Sequence, residues 1–343
     1  MRFPFRLAFA SAAVVVALSV AWPAAVRAQV AVPPDGGFSK PLDCTLDRDC
    51  WITNLPDAGV GEDATDYRCG ARTYNGHKGT DFTVRDYLAL DKGVPVLAAA
   101  PGTVVAIRND APEHFVYNDE TKKLVGQKEC GNGVVLEHSG GWQSQYCHMR
   151  TGSVSVALGA KLERGARLGL AGMSGQTQFP HVHVAFRVDG QHVDPFTGRR
   201  IEGGCKNPER SLWRQDAGVR YPGPALYAAG FTTHAPEMSD ILSSARSPIS
   251  LPRHVPALVL WVASYGVQKG DVLRLRVLDP SGGTLIARDV RIDKAQARYM
   301  AFAGKKIPPP GWATGGWKGE AVLERTVDGR RIMRRIAVPL DIR

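Results

Sequence analysis

Two short segments carry residue types that bind a divalent cation. His77-Lys78-Gly79-Thr80-Asp81 sets an imidazole and a carboxylate four residues apart. Asn75-Gly76 before it and Gly79 inside it favour a loop or strand start over a helix, and a loop can turn both side chains to one point. His181-Val182-His183 offers two more imidazoles, and in a strand side chains two apart leave from the same face. A further histidine, His148, follows Tyr146-Cys147 at the end of a predicted strand. Zinc accepts neutral imidazole nitrogen and carboxylate oxygen, and catalytic sites commonly use three protein ligands and keep one position open. Two His and one Asp meet that count. The other two histidines could then take a proton from water or stabilise a developing oxyanion. Either fragment alone is a weak signal; their joint presence in one β-rich stretch is what points to a metal.

The elements that must position these residues read as strands. From about 71 to 200, short apolar runs alternate with Gly, Asn and Pro, the pattern of an antiparallel β protein. Val94 to Ala99, Gly102 to Arg108, Gly133 to His138, Gln143 to His148 and Val182 to Val188 are the predicted strands, with Ser139-Gly140-Gly141 as a hairpin turn. Before them, residues 29–70 hold Pro33-Pro34, Gly36-Gly37 and three cysteines with little periodicity, which predicts an extended, disulfide-tied lead-in. Residues 203–255 are rich in Pro, Gly and Ser and read as a linker with one short helix around Pro236 to Arg246. Strand patterning resumes at about 256, in Ala257 to Ala263, Val272 to Leu278, Thr284 to Ile292, Glu320 to Arg325 and Arg331 to Val338. Asp279-Pro280-Ser281-Gly282-Gly283 and Asp328-Gly329 supply turns between them. The expected fold class is all-β, a compact antiparallel core at 71–202 followed by a small immunoglobulin-like β-sandwich at 256–343.

Arg2 and Arg6, the apolar run Leu7 to Val20 and the small residue ending Val26-Arg27-Ala28 have the layout of a secretory signal peptide over residues 1–28, cleaved after Ala28. The run is shorter than the roughly 20 apolar residues a spanning helix needs. The mature chain is thus expected to have no stable membrane span and to be exported, either periplasmic or secreted. All six cysteines (Cys44, Cys50, Cys69, Cys130, Cys147, Cys205) lie in that mature part and read as disulfides. Cys130 and Cys147 flank the predicted hairpin and are the expected pair; the other pairings stay open. No short C-x₂₋₄-C spacing supports a zinc-thiolate site instead. The formal net charge is +10; taking away the three leader arginines, Arg2, Arg6 and Arg27, leaves +7. A basic exported protein is drawn to anionic polymers such as cell-wall glycans. Nothing in the sequence reads as a nucleic-acid motif.

The motifs of residues 70–196 resemble the LytM/lysostaphin-type zinc metallopeptidases, which are cell-wall endopeptidases. "GHKGTDF" resembles that family's His-x-x-x-Asp segment, and "GVPVLAAAPGTVVAI" its strand, small-residue turn and strand. "GNGVVLEH" corresponds to its next strand, Tyr146-Cys147-His148-Met149 to Tyr-x-His-Leu, and "GAKLERGARLGLAGMSGQTQFPHVHVAF" to the run ending in Pro-His-Leu-His. The resemblance implies a compact antiparallel β core, with His77, Asp81 and His183 as zinc (Zn2+) ligands. It also implies that His148 and His181 are the catalytic pair that does not bind the metal, without saying which is the base. Met149 departs from the usual Leu, and Val184-Ala185 from a common Phe-Glu. The implied function is a zinc metalloendopeptidase hydrolysing peptide bonds in peptidoglycan stems or crossbridges. The alternative is a non-catalytic relative that binds cell wall and activates an amidase. Such relatives usually lack a metal residue, whereas every position is filled here.

Other candidates read as structural. His114, His138 and His192 match no ligand position and are expected to be ordinary surface or strand residues, with His234 and His254 solvated in the linker. Ser174 lacks the G-x-S-x-G spacing of a nucleophile elbow. Trp142, Trp261, Trp312 and Trp317 are expected in cores or turns, with a wall-glycan contact by the C-terminal domain as the rival reading.

Overall fold

The computed structural model describes residues 32–113, 119–201, 203–205, 210–242, 248–327 and 329–343. The leader (1–28), His114 and Asp328 lie outside the described residues, as does the end of the expected helix at 236–246, of which Met238–Leu242 is described. No helix of the described residues is long and apolar enough to cross a membrane.

The first half is built on one antiparallel sheet. Its strands lie in the order Cys50–Asn54, Thr80–Val84, His181–Val188, Trp142–Met149, Asn132–Glu137, Gly102–Arg108, Lys161–Leu162, with Gln191–Asp194 and Arg199–Arg200 appended beside His181–Val188. The central strand shows why it sits there. Val182, Val184 and Phe186 are fully buried on one face, while His181, His183 and Ala185 leave from the other. Phe82 and Val84 continue the same apolar face on the neighbouring strand. The residues read as a lead-in are integral to this core. Phe38, Leu42 and Leu55 are fully buried in it, and Phe38 stacks on Phe186 with ring centroids 3.9 Å apart. Cys50–Asn54, a strand the sequence did not signal, forms the sheet edge against Thr80–Val84.

The second half packs two sheets around one apolar core. Ala225–Thr232, Ala257–Val267 and Gln296–Lys306 form one; Ser250–Leu251, Arg330–Ile342, Gly315–Val327, Val272–Leu278 and Thr284–Arg291 form the other. Leu258, Leu260 and Val262 from the first meet Leu273, Leu275 and Leu323 from the second. Two expectations change here. The stretch 203–255 is not only a linker, since Ala225–Thr232 pairs along Ala257–Val267. Its strand pattern was masked by the Pro, Gly and Ser on either side. Gln296–Lys306 was also unforeseen, because its burial is partial and its run is interrupted by Arg298 and Gly304.

The two halves touch through an aromatic joint. Trp51 packs among Tyr227, Trp261 and Tyr265, and the Tyr265 hydroxyl donates to the Val84 carbonyl at 3.2 Å. Arg72, 2% exposed, spans the joint by donating to the carbonyls of Ile52 and Gly223. Burial lowers its pKa to about 10, with Arg325 adding repulsion. Three disulfides are present, Cys44–Cys50, Cys69–Cys205 and Cys130–Cys147, the last as expected from the hairpin.

Candidate metal centre

Sheet register brings the distant fragments together. Asp81 is the cross-strand partner of His183, and Thr83 of His181; on the other side His183 pairs with Cys147. Facing residues in a ladder have side chains on the same face, so Asp81 and His183 share the face opposite the core. His77 arrives from the loop just before Thr80–Val84. Its Nδ1 donates to the Leu55 carbonyl at 2.7 Å, which leaves Nε2 as a lone-pair donor for a metal. Gly79 lets this loop pass close beneath the site. A Cβ there would lie 2.5 Å from the Val184 carbonyl oxygen and 2.7 Å from His183 Nε2.

The result is a triangle of ligand atoms. His77 Nε2 is 3.0 Å from Asp81 Oδ1 and 3.0 Å from His183 Nδ1, and His183 Nδ1 is 3.0 Å from Asp81 Oδ1. Three such atoms held this close share a positive charge, supplied by protons on the imidazoles or by a metal ion among them. Edges of that size suit zinc bonds of about 2.0–2.1 Å. The donor set, two imidazoles and one carboxylate, therefore fits a zinc ion. The second oxygen of Asp81 is held by Asn54, whose Nδ2 donates to Oδ2 at 2.8 Å between two buried side chains. Two of the three, His77 and Asp81, are thus oriented by a group behind them, as metal ligands generally are.

The remaining two histidines stand beside the triangle. His181 Nδ1 donates to the Phe179 carbonyl at 2.9 Å, and its Nε2 lies 3.7 Å from Asp81 Oδ1. His148 Nδ1 donates to the Ser174 carbonyl at 2.8 Å, and its ring centroid is 4.6 Å from that of His181. Strand alternation alone would send His148 to the face opposite Cys147. Instead its φ is +62°, a left-handed conformation that redirects the side chain to the metal face. For a residue with a Cβ that costs about 1–2 kcal/mol. Its N–H is held by the Cys130 carbonyl at 2.8 Å, and Cys130 is bonded to the adjacent Cys147.

Burial dominates the electrostatics. It pushes His148 well below its ordinary value, helped by the nearby His181 and His183, and it also lowers His181 and His183. Burial likewise opposes a charge on Asp81, but the attraction of His77 and His181 and the bonds from His183 and His77 outweigh it. The carboxyl is held well below the usual range. At His77 burial is overcome by the Asp81 charge and hydrogen bond, so its pKa is raised. The site therefore presents an ionised carboxylate and, at His148, a neutral proton acceptor.

Two cavities flank the triangle. One of about 350 Å³ is lined by Asn54, Asp81, Thr177, Phe179 and His181. The other, about 370 Å³, is lined by Cys147, His148, His183, Ala185 and His192. Tyr74 and Gln176 border both, and the Tyr74 ring lies 4.4 Å from that of His77. All five sequence candidates, His77, Asp81, His148, His181 and His183, thus meet at one place. His192 lies in the strand Gln191–Asp194, as expected, and also shares the wall of that second cavity. Burial, then Arg187 and Lys78, lower its pKa to about 4. His138, just past the strand Asn132–Glu137, is structural as expected but buried: it is 6% exposed and bonded to Ser144 Oγ and the Pro101 carbonyl. Ser174 is fully buried and bonded to the Met149 carbonyl, as a structural residue. Trp142, Trp261, Trp312 and Trp317 are all 7% exposed or less, so none offers a face for stacking sugars. Asn54 and Tyr74 were missed, and no spacing in the sequence could have flagged them.

Comparison with known proteins gives residues 75–195 a match to the family model Peptidase family M23. Over 121 residues the chain is 31% identical to a protein of Haemophilus influenzae named uncharacterized metalloprotease, covering 35% of this chain and 20% of that one. Over 118 residues it is 31% identical to the peptidoglycan DD-endopeptidase ShyA of Vibrio cholerae, covering 34% and 22%. The matches thus span about a fifth of these relatives' length. Among solved structures, a zinc containing peptidase from Vibrio cholerae aligns with a TM-score of 0.30 at 22% identity, over 50% of this chain and 41% of that one. The catalytic domain of lysostaphin from Staphylococcus simulans aligns at 0.28 and 21%, over 40% and 85%.

Proposed function

We propose that this chain, which carries a Peptidase family M23 domain at residues 75–195, is a zinc-dependent endopeptidase that cleaves peptide bonds in peptidoglycan, at its stems or crossbridges. The observation that carries this reading is the 3.0 Å triangle of His77 Nε2, Asp81 Oδ1 and His183 Nδ1, which fits a divalent cation and has a cavity on either side. Relatives named as peptidoglycan DD-endopeptidases support the substrate class. The three disulfides support an oxidising compartment outside the cytoplasm.

Zinc bound by His77, Asp81 and His183 would supply Lewis acidity, polarising a scissile carbonyl and making water a better nucleophile at neutral pH. The chain's own residues do the rest. His148, kept neutral by burial and fixed through Nδ1 by the Ser174 carbonyl, presents Nε2 to accept a proton and return it to the leaving amine. His181, fixed the same way by Phe179, likewise presents Nε2 as a proton acceptor, on the Asp81 side of the triangle. Asn54 and Leu55 hold the carboxylate and imidazole in place.

The test combines metal analysis with digestion of purified sacculi. Full-length protein is expected to hold about one zinc per chain and to release soluble peptide fragments, and a chelator abolishes the release. His183→Ala loses both metal and activity, while His148→Ala keeps the metal and loses roughly 10²–10⁴-fold in turnover. A metal-loaded wild type that leaves sacculi intact while stimulating an amidase points to the activator reading.

A further inference from the structure

A third cavity continues the groove past the catalytic residues. It measures about 230 Å³, shares Asn54, Tyr74, Gln178 and Phe179 with the cavity over Asp81 and His181, and has Ala295, Gln296 and Ala297 in its far wall. Those last three come from the C-terminal sandwich, not from the segment that matches the peptidase family. Their position is held by direct bonds. Arg298 donates to the Gln178 carbonyl at 3.1 Å, and its guanidinium carbon lies 4.6 Å from the centroid of the Phe179 ring. Gln178 and Phe179 are the loop that leads into His181. The aromatic joint around Trp51 and the Tyr265–Val84 bond fix the rest of that sheet against the peptidase sheet.

We propose that the C-terminal sandwich completes the substrate groove, with Ala295–Ala297 forming a subsite for the peptide chain on one side of the scissile bond. This rests on the peptidase reading above and deepens it. The chemistry suits an amide-rich chain with small side chains. Gln178, Gln296 and Thr73 offer hydrogen-bonding groups at the wall, and Ala295 and Ala297 leave room beside them. Three cavities in a row, meeting around Tyr74, give an extended chain a path across the metal with contacts on both sides.

Ala297→Trp in the full-length zinc protein fills the third cavity without touching the metal ligands. Two substrates are compared, a crosslinked muropeptide with complete stems and the same crosslink trimmed to the residues flanking the bond. The variant is expected to lower the ratio of kcat/KM for the long over the short substrate by about tenfold or more, and to weaken calorimetric binding of the long one, with zinc content as in wild type. Gln296→Ala is expected to move both readouts the same way by less. A wild-type ratio and wild-type affinity in both variants overturn the subsite. Binding is read apart from cleavage, so a wild type that cleaves neither substrate sinks the peptidase reading while the binding comparison still decides the subsite.

Discussion

A sixth side chain matters at the candidate metal centre, beside the four histidines and Asp81. Asn54 occupies the outer oxygen of Asp81 and thereby turns the other toward the two imidazoles. Removing such a supporting group usually lowers metal affinity or activity by about 10–100-fold. Asn54→Ala is expected to do so, as measured by zinc titration against a competing chelator. An affinity equal to wild type would show that Asp81 needs no help. Gly79 makes a similar demand in space. Gly79→Ala sets a methyl 2.7 Å from His183 Nε2 and 2.5 Å from a backbone oxygen that cannot step aside. That variant is expected to lose zinc more readily than its fold, seen as a lower metal content at a nearly unchanged circular dichroism spectrum.

Strands decide which of these side chains meet. His148 reaches the metal face only because its backbone turns left-handed beside the Cys130–Cys147 bond. Replacing both cysteines by serine is expected to lower kcat while the zinc content stays at one per chain, since no ligand is moved; equal rates would assign the bond to stability alone. On the same hairpin, His138 is buried between Ser144 Oγ and the Pro101 carbonyl, and burial lowers its pKa. The unfolded chain takes up a proton there below about pH 6.5 while the folded chain does not, so this residue weakens the fold as pH falls through that value. His138→Gln is expected to lose less melting temperature than wild type between pH 7 and pH 5.

The meeting of His77, Asp81 and His183 was legible because metal chemistry restricts residue types, and strand periodicity puts His181 and His183 on one face. The strands around it were legible for the same reason. Cys50–Asn54 was not: all five of its residues are buried, so no alternation marks it. Asn54, Tyr74 and Gln296 were hidden too, because their roles come from contacts across the fold with no local pattern.

On the scale of the whole molecule, the candidate metal site joins segments from both ends of residues 75–195, so an ion bound there should stabilise the fold. Zinc at a hundredfold over its dissociation constant adds about 2.7 kcal/mol. Chelation is expected to lower the calorimetric melting temperature by several degrees, and an unchanged value would count against a bound ion. The bridge from Cys69 to Cys205 acts at this scale as well. It encloses residues 75–195 in a covalent ring, and a crosslink of that span removes roughly 5 kcal/mol of chain entropy from the unfolded ensemble in the loop-closure picture. A polypeptide still in a reducing cytosol forgoes that support. The fold gains its full rigidity only in oxidising surroundings, where the bridge closes around the strands that set His77, Asp81 and His183 together.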